Sequence, residues 1–331
     1  MKIQLTLNSF AALLYCSDLI PSNYPPLNNE EWIVVEKKLN ESSNRDVSRL
    51  FGMNEEILTQ IIGIDEYITK KIINRNTLMS NMFHSLYNLE TESINVTTKY
   101  ESNYPKALLS LKNRAPMILY YVGDLSLIKK ENMSVVGPQS MNKRLIFLTK
   151  NAVTKIHDEG NSLIVSGLKG VDAYATKLML NLGGNVVFFV ADHMYDKIKT
   201  YEKEIKNKQV CILSAVDPFA YFNVTNSLDR NIYIAGLSKY QFVVATKINS
   251  GAVWFTSVQN LHFKWTKQLV MDIKSSNNGN LRLIEMGAVP VSDEDLLSLR
   301  TIDEIVEKNE NTGDIDETVV DQMSIYEFIE E

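Results

Sequence analysis

Residues 161–192 read NSLIVSGLKGVDAYATKLMLNLGGNVVFFVAD, and this stretch decides the fold. A short apolar run ends at Val165, a glycine-containing turn follows it, and a segment with helical spacing continues to Gly183 and Gly184. A second apolar run begins at Val186. Fully apolar runs joined by a helix are typical of parallel strands that are covered on both faces. The stretch therefore predicts a βαβ unit of a doubly wound sheet.

The turn between the first strand and the helix has the composition of an anion-binding loop. Ser166 and Gly167 open the turn, and Gly170 permits backbone conformations that other residues avoid. Asp172 is placed to be the N-cap of the helix. Backbone N–H groups at the start of a helix attract phosphate and other anions. Most turns of this kind bind nothing, so the loop alone leaves both a ligand site and a structural turn open.

Length and composition indicate an ordinary globular protein. The chain has 331 residues, of which 45% are hydrophobic and 22% charged, enough for one large domain and a smaller one. The two cysteines, Cys16 and Cys211, form neither a disulfide framework nor a CxxC motif, which predicts a reducing, cytoplasmic environment. No apolar run approaches the roughly 20 residues that a membrane span needs, so no membrane partner is expected.

Spacing and composition predict three segments along the chain. Apolar residues recur at helical spacing up to about residue 90, which predicts a small N-terminal helical domain over 1–95 and a polar linker near 91–103. Apolar runs then alternate with helical segments, so a Rossmann-like domain is predicted over 96–300. The fold class is therefore α/β, with a doubly wound, mostly parallel sheet. An acidic C-terminal tail, 301–331, completes the chain, with a short docked helix as one option for its structure.

The acidic tail makes the charge distribution uneven. From Asp293 to the end the chain holds 14 acidic and two basic residues, whereas the whole chain has a formal net charge of −6. Residues 1–292 are therefore basic on balance, which is compatible with a polyanionic partner. A docked acidic helix could compete with nucleic-acid phosphates for the same lysines. The alternatives are a tail that only completes the fold and one that is simply solvated.

Six short sequence phrases follow one another between residues 95 and 300. They are Tyr104-Pro105 with Pro116, Leu119-Tyr120 and Gly123; Val136-Gly137-Pro138-Gln139; Ser166-Gly167-Leu168-Lys169-Gly170-Val171-Asp172; Arg230 to Ser238; Ser250-Gly251 with Thr256; and Gly279 to Ala288. None is specific alone. In this order they resemble the DprA/Smf DNA-processing family.

The resemblance implies a Rossmann-like protein that binds single-stranded DNA and has no enzymatic turnover, cofactor or metal. Family members act as homodimers in DNA processing, uptake and recombination during natural transformation, with a recombinase as a further partner. The DNA-binding or anion-binding residues that the resemblance and the loops suggest are Gly137, Gln139, Ser166, Gly167, Lys169, Gly170, Arg230, Asn231, Lys247, Ser250 and Gly251.

The chain departs from the family pattern at two arginines. Gln139 stands where the family has an arginine in its first glycine loop, and Ile232 replaces the second arginine of Arg-Asn-Arg. Glutamine donates hydrogen bonds to phosphate but carries no charge. The second loop is one residue short, and Lys169 at its centre could restore one charge. Fewer cations release fewer counterions, which predicts weaker DNA binding or a different anionic ligand.

Residues 229–270 mix basic and aromatic side chains in the way that a single-strand groove requires. The basic residues are Arg230, Lys239, Lys247, Lys264 and Lys267, and the aromatic ones are Tyr233, Tyr240, Trp254, Phe263 and Trp265. At this spacing the aromatic residues fit a hydrophobic core equally well.

Other functions find less support in the sequence. The four histidines show no metal-ligand spacing, and neither a Walker A loop nor a GxSxG motif is present. Asp172 and Asp192 could suggest acid–base chemistry, but helix capping explains Asp172 more simply. The alternatives to DNA binding are a Rossmann-like sensor of a nucleotide or a nucleotide-derived ligand, and an interaction scaffold.

Overall fold

A computed structural model describes residues 4–42, 45–128, 131–273 and 279–310. Within these ranges the strands are β1 Asn95–Thr98, β2 Ile118–Gly123, β3 Asn132–Val136, β4 Ser162–Val165, β5 Val186–Val190, β6 Val210–Ser214, β7 Tyr240–Val243, β8 Lys267–Met271 and β9 Val289–Val291. The helices are α1 Leu7–Cys16, α2 Asn29–Glu41, α3 Glu66–Asn76, α4 Met79–Thr91, α5 Lys143–Asp158, α6 Val171–Asn181, α7 Met194–Thr200, α8 Glu202–Lys206, α9 Val224–Leu237, α10 Gly251–Phe263, α11 Gly279–Glu285, α12 Asp293–Leu297 and α13 Ile302–Glu310.

Parallel strands organise one of two compact units, which comprises residues 126–189 and 228–331. In its described part the strand order is β5-β4-β3-β7-β8-β9, and each paired neighbour is parallel. The order reverses between β3 and β7, as it does in a doubly wound Rossmann sheet. The predicted α/β fold class is confirmed. Crossovers of one hand place the helices on both faces of such a sheet.

The stretch that decided the fold forms the predicted βαβ unit. Every residue of β4 and β5 is buried, as expected for strands that are covered on both faces. Gly183, at φ +82°, follows the end of α6 in the left-handed conformation that glycine adopts most readily. The helix therefore ends where the sequence predicted.

A second unit comprises residues 1–125 and 190–227. Its helices α1–α4 agree with the helical spacing before residue 90, and β1, β2 and β6 pair antiparallel. Strand β1 lies inside the stretch 91–103, so the prediction of a plain linker there is wrong. The reason is burial: Thr97 and Thr98 are β-branched and fully buried in this strand. The proposed domain boundary at residue 95 stays a prediction.

No helix within the described ranges combines the length and the apolar composition that a bilayer span requires.

The described part of the acidic tail belongs to the fold of the parallel-sheet unit. Helix α13 packs against β9, and its residues Ile302, Ile305 and Val306 are at most 2% exposed. Lys155 donates hydrogen bonds to the carbonyls of Ser298 (3.0 Å) and Arg300 and so holds the segment between α12 and α13. The apolar residues predicted to dock between 315 and 329 lie outside the described residues.

We predict that Ile305→Ala lowers the free energy of unfolding by about 2–4 kcal/mol, because it leaves a cavity between α13 and β9. Leu299→Ala is the matched control, since Leu299 is fully exposed and its loss should cost less than about 0.5 kcal/mol. Urea unfolding of both variants measures the difference. Equal midpoints would show that α13 does not contribute to the core.

Asp295 makes the attachment of this segment sensitive to pH. Burial works against ionisation of the carboxyl, but hydrogen bonds from Lys308 (2.8 Å), Ser292 and Asn309 outweigh it and lower the pKa of Asp295. A lowered pKa stabilises the fold fully above the unfolded value of about 3.9, and the contribution is lost as pH falls toward the folded value.

We therefore expect Asp295→Asn to destabilise the protein by about 2–3 kcal/mol at pH 7, with the deficit closing as pH falls from about 5 to 2. Urea midpoints across this pH range test the expectation. Glu294→Gln, at the exposed neighbouring position, controls for the loss of one carboxylate. A deficit that is the same at every pH would contradict the assignment.

Candidate functional site

Two glycine loops meet where the strand order of the parallel sheet reverses. Loop 1, residues 137–142, follows β3, and loop 2, residues 166–170, follows β4. The backbone N–H of Val171 donates to the carbonyl of Pro138 at 3.2 Å. Gly170 has φ +77°, and a Cβ there would lie 2.3 Å from the oxygen of Pro138 and 2.4 Å from Cα of Gln139. Only glycine permits the two loops to touch in this way.

Asp172 holds loop 2 from inside, which differs from its predicted role as N-cap of α6. The N-cap is Gly170, and Asp172 lies in the first turn. Its carboxylate accepts hydrogen bonds from the backbone N–H groups of Ser166 (2.9 Å) and Gly167 (3.1 Å) and from the hydroxyl of Ser166. Burial raises the pKa of Asp172, and these hydrogen bonds oppose the rise.

This arrangement changes the expected anion chemistry of loop 2. The N–H groups of Ser166 and Gly167, which the sequence offered to a phosphate, are already bound by a carboxylate of the same chain. Asp172 thus occupies the position that an external anion would take. A ligand at this edge has to be held chiefly by side chains rather than by the backbone of loop 2.

A cavity of about 80 Å³ opens beside the two loops. Strands, both loops and the helices α9 and α10 contribute its lining, which consists of Val135, Val136, Gly137, Gln139, Ile164, Val165, Ser166, Leu168, Lys169, Asp172, Arg230, Asn231, Ile234, Gln241, Ala252, Val253, Thr256 and Ser257. The carboxyl ends of β3 and β4 lie at this site, where open α/β sheets bind their ligands.

The structure brings six of the eleven predicted site residues to the cavity lining. They are Gly137, Gln139, Ser166, Lys169, Arg230 and Asn231. Gly167 and Gly170 shape loop 2 without lining the cavity. Lys247 and Ser250 lie in the exposed turn before α10, Gly251 is the first residue of that helix, and none of the three lines the cavity.

Lys169 and Gln139 lie exposed at the rim of the cavity. Within the ranges that the structure describes, the ammonium group of Lys169 makes no ion pair. It is therefore available to a phosphate, whereas Gln139 offers amide donors without charge.

Arg230 forms part of the cavity wall on α9 and is 5% exposed. Its Nε donates to Oδ1 of Asn231 at 3.2 Å, and Nδ2 of Asn231 lies 3.3 Å from Oγ1 of Thr256 on α10. Ile232, which replaces the family's second arginine, is 3% exposed and packs in the core. This hydrogen-bonded chain fixes the guanidinium relative to α10.

The basic residues predicted to share one groove lie at different edges of the sheet. Lys239 precedes β7 and pairs with Asp303 (2.9 Å) and Glu131 (2.8 Å), while Lys267 begins β8 and pairs with Glu310 (2.5 Å). The starts of parallel strands lie at the edge opposite to the cavity. The prediction of a single groove is therefore wrong, because strand direction separates these lysines from Arg230.

Most of the predicted stacking aromatics have structural roles. Trp254 is 2% exposed in the core, the ring of Tyr233 packs on Phe189 with centroids 5.2 Å apart, and the hydroxyl of Tyr240 donates to Asp303 (2.7 Å). Phe263 and Trp265 form a separate stacked pair.

Sequence reasoning missed the polar floor of the cavity. Gln241 on β7 donates through Nε2 to Ser134 (3.2 Å) and accepts from Gln268 (3.2 Å), so its amide is held from both sides. Ser257 is 1% exposed, and its hydroxyl has no hydrogen-bond partner among the described residues. A glutamine inside an otherwise apolar strand was the signal that could have revealed this floor.

Known proteins match both the sequence and the fold. Residues 95–301 match the family described as DNA recombination-mediator protein A. DNA processing protein DprA of Streptococcus pneumoniae is 29% identical over 143 residues, which cover 42% of this chain and 50% of that protein. The aligned region therefore spans only half the length of this relative.

Two solved structures share the fold at low identity. The X-ray structure of DNA processing protein A from Streptococcus pneumoniae has a TM-score of 0.66 and 20% identity, covering 89% of this chain and 98% of that one. A structure of DNA processing protein A from Helicobacter pylori, described for its single-stranded DNA binding mode, has a TM-score of 0.51 and 19% identity. It covers 65% of this chain and 96% of that one.

We predict that Asp172→Ala lowers the free energy of unfolding by about 2–3 kcal/mol, because the donors of Ser166 and Gly167 lose their acceptor. Asp196→Ala, which removes an exposed carboxylate from α7, should cost less than about 1 kcal/mol. Urea unfolding at pH 7 compares the two. If Asp172→Ala is as stable as the control, the carboxylate does not hold loop 2.

Proposed function

The chain belongs to the DNA recombination-mediator protein A family, and we propose that it binds single-stranded DNA without chemical turnover. The observation that carries the proposal is the cavity at the carboxyl edge of the sheet, with Lys169 at its rim and Arg230 in its wall. A cationic rim beside a partly apolar cavity suits a strand that offers both phosphates and bases.

The side chains at the rim supply the phosphate contacts in this proposal. Lys169 provides a mobile point charge, and the amide of Gln139 adds a neutral donor. The backbone of loop 2 contributes less, because Asp172 accepts the hydrogen bonds of Ser166 and Gly167. Binding should therefore depend on a small number of cations.

A small number of cations limits the salt dependence. Each phosphate neutralised on a single strand contributes about −0.7 to the slope of log K against log salt concentration. With Lys169 and Arg230 as the principal cations at the cavity, the proposed contact there has a slope of about −1 to −2. Such a site holds DNA more weakly than one that keeps both family arginines.

The hydrogen-bond commitments of Asp172 and Arg230 support the proposal of binding without turnover. The carboxylate of Asp172 is saturated by donors of loop 2, and Arg230 is engaged with Asn231. Neither group is placed to exchange a proton with a ligand. The relatives favour DNA over the alternative of a nucleotide sensor. Homodimer assembly and contact with a recombinase remain predictions of the family resemblance, and a cytoplasmic location remains a prediction from the cysteine usage.

We predict that Lys169→Ala weakens the binding of a labelled single-stranded oligonucleotide about 5- to 30-fold at low salt and makes the salt slope less steep by roughly 0.7. Gln139→Arg should strengthen binding by a similar factor, because it adds a charged fork at the rim. Fluorescence anisotropy at several salt concentrations measures both effects.

Lys150→Ala is the matched control for these variants, since Lys150 is an exposed lysine of α5 that does not line the cavity. Its affinity and salt slope should equal those of the parent chain. If all three variants bind like the parent at every salt concentration, the strand does not contact these loops. Binding of nucleotides in place of oligonucleotides would support the sensor.

A further inference from the structure

The cavity extends from its mouth along one side of helix α10. Ala252, in the first turn of the helix, is exposed, whereas Ser257 is 1% exposed, and both residues line the cavity. With a rise of 1.5 Å per residue, the two positions are about 7.5 Å apart along the helix axis. Because α10 follows β7, its first turn lies at the carboxyl edge of the sheet. The mouth is therefore at this edge, and the floor lies in the interior of the parallel-sheet unit.

The lining of the cavity combines apolar sides with a polar floor. Apolar side chains from strands and helices form much of the lining, among them Val136, Ile164 and Val253. Gln241 and Ser257 contribute polar groups at the floor. Ligand sites in proteins commonly combine apolar sides with a few polar groups that orient the ligand. The arrangement suits a small planar ring with one polar edge.

The floor belongs to a row of polar side chains that crosses the sheet. Ser134 on β3, Gln241 on β7 and Gln268 on β8 are paired in register, so their side chains lie on one face of the sheet. Gln268 donates to Gln241 and Gln241 donates to Ser134, each at 3.2 Å. Val243, two residues after Gln241, packs with Trp254 of α10. The polar row therefore lies on the face that α10 covers.

Two buried polar atoms near this row have no hydrogen-bond partner among the described residues. They are the hydroxyl oxygen of Ser257 and Oε1 of Gln268, and each residue is 1% exposed. Buried polar atoms are normally hydrogen-bonded, because an unpaired one loses its interaction with water and gains nothing in return. The floor therefore keeps hydrogen-bonding capacity that the fold itself does not use.

The volume of the cavity limits which ligand can enter. With about 10–15 Å³ for each water-sized group, a cavity of about 80 Å³ has room for roughly five to eight such groups. The single ring of a pyrimidine, with its exocyclic atoms, is close to this size, whereas the fused rings of a purine are larger. An unpaired base also presents donors and acceptors along one edge, which matches the floor.

We propose that the cavity takes up one pyrimidine base of the bound single strand and that Ser257 determines this preference. The inference rests on the proposed function and adds base selection to it. The phosphate next to the base stays at the rim with Lys169, and the polar edge of the ring faces Ser257 and Gln241. A hydroxyl both donates and accepts, so Ser257 serves thymine as well as cytosine.

A water molecule is the competing occupant of the floor. Buried waters typically make about three hydrogen bonds to polar groups that otherwise lack a partner. Water at Ser257 would produce no preference between bases. A base-dependent affinity that Ser257 controls therefore distinguishes a base site from a hydrated floor.

The test uses labelled strands of about ten abasic nucleotides, a length within the usual range of single-strand sites. Each strand carries one thymine, one cytosine, one adenine or no base at its centre, so stacking within the strand does not contribute. The parent chain should bind the two pyrimidine strands about 5- to 50-fold more tightly than the fully abasic strand. Adenine should add less than about 3-fold, because its fused rings exceed the cavity. Fluorescence anisotropy at low salt measures these gains.

Ser257→Ala should reduce the gain from a pyrimidine about 2- to 10-fold, because the base edge loses one hydrogen bond. The variant should be at least as stable as the parent chain in urea, since the hydroxyl has no partner among the described residues. Ser162→Ala is the matched control: its hydroxyl is also buried and unpartnered among the described residues, but it does not line the cavity. It should keep the full gain.

Two further variants separate the base from its phosphate. Ala252→Trp places a large side chain at the mouth, so every strand that carries a base should bind like the fully abasic strand. Lys169→Ala removes a charge from the rim and should weaken all strands by the same factor.

The outcomes distinguish this inference from the proposed function. A parent chain that binds no strand contradicts both. Binding of the abasic strand without a gain from any base overturns only the base site. Equal gains from thymine and adenine, or a pyrimidine gain that Ser257→Ala leaves intact, overturn selection by Ser257. A loss in Ser162→Ala equal to that in Ser257→Ala would also overturn it, because the effect would not depend on the cavity.

Discussion

The contact between the two glycine loops is the constraint on which the site depends. Gly170 brings loop 2 against Pro138 and Gln139, and no side chain fits between them. Asp172 then fixes the backbone of loop 2 through three hydrogen bonds. The cavity has a defined rim because these two interactions leave both loops a single arrangement. The same hydrogen bonds turn an apparent anion-binding backbone into a self-contained structure.

Strand direction decides which charges can act together. In a parallel sheet, residues that precede strands and residues that follow them lie at opposite edges. Lys239 and Lys267 precede β7 and β8, where acidic residues of α13 and of the segment before β3 neutralise them. Arg230 and Lys169 lie at the other edge, beside the cavity. The described acidic helix α13 thus neutralises lysines at the amino edge, whereas Lys169 at the carboxyl edge makes no ion pair with a described residue.

The two positions at which the chain departs from the family's arginines have different environments in the structure. Ile232 is buried in the core side of α9, so that position contributes packing rather than charge. Gln139 remains exposed at the rim and keeps hydrogen-bond donors. Lys169 is exposed in loop 2 at the rim of the cavity.

The sequence by itself determined the local elements and their class. Fully apolar runs specify the buried strands β4 and β5, and glycine ends the helix between them, because these signals depend on near neighbours in the chain. The order of the six phrases was sufficient to indicate the family, and glycine at 170 indicated a close backbone approach.

Only the tertiary structure decided which residues share a site. Asp172 is of a residue type that is common at helix N-caps, but its actual role follows from the path of loop 2 around it. Ser257 and Gln241 meet in the cavity although 16 residues separate them in the sequence. Five basic residues that are close in the sequence are divided between sheet edges. The reason is physical: a side chain's partners depend on strand order and direction, and neither is encoded within the local stretch that contains it.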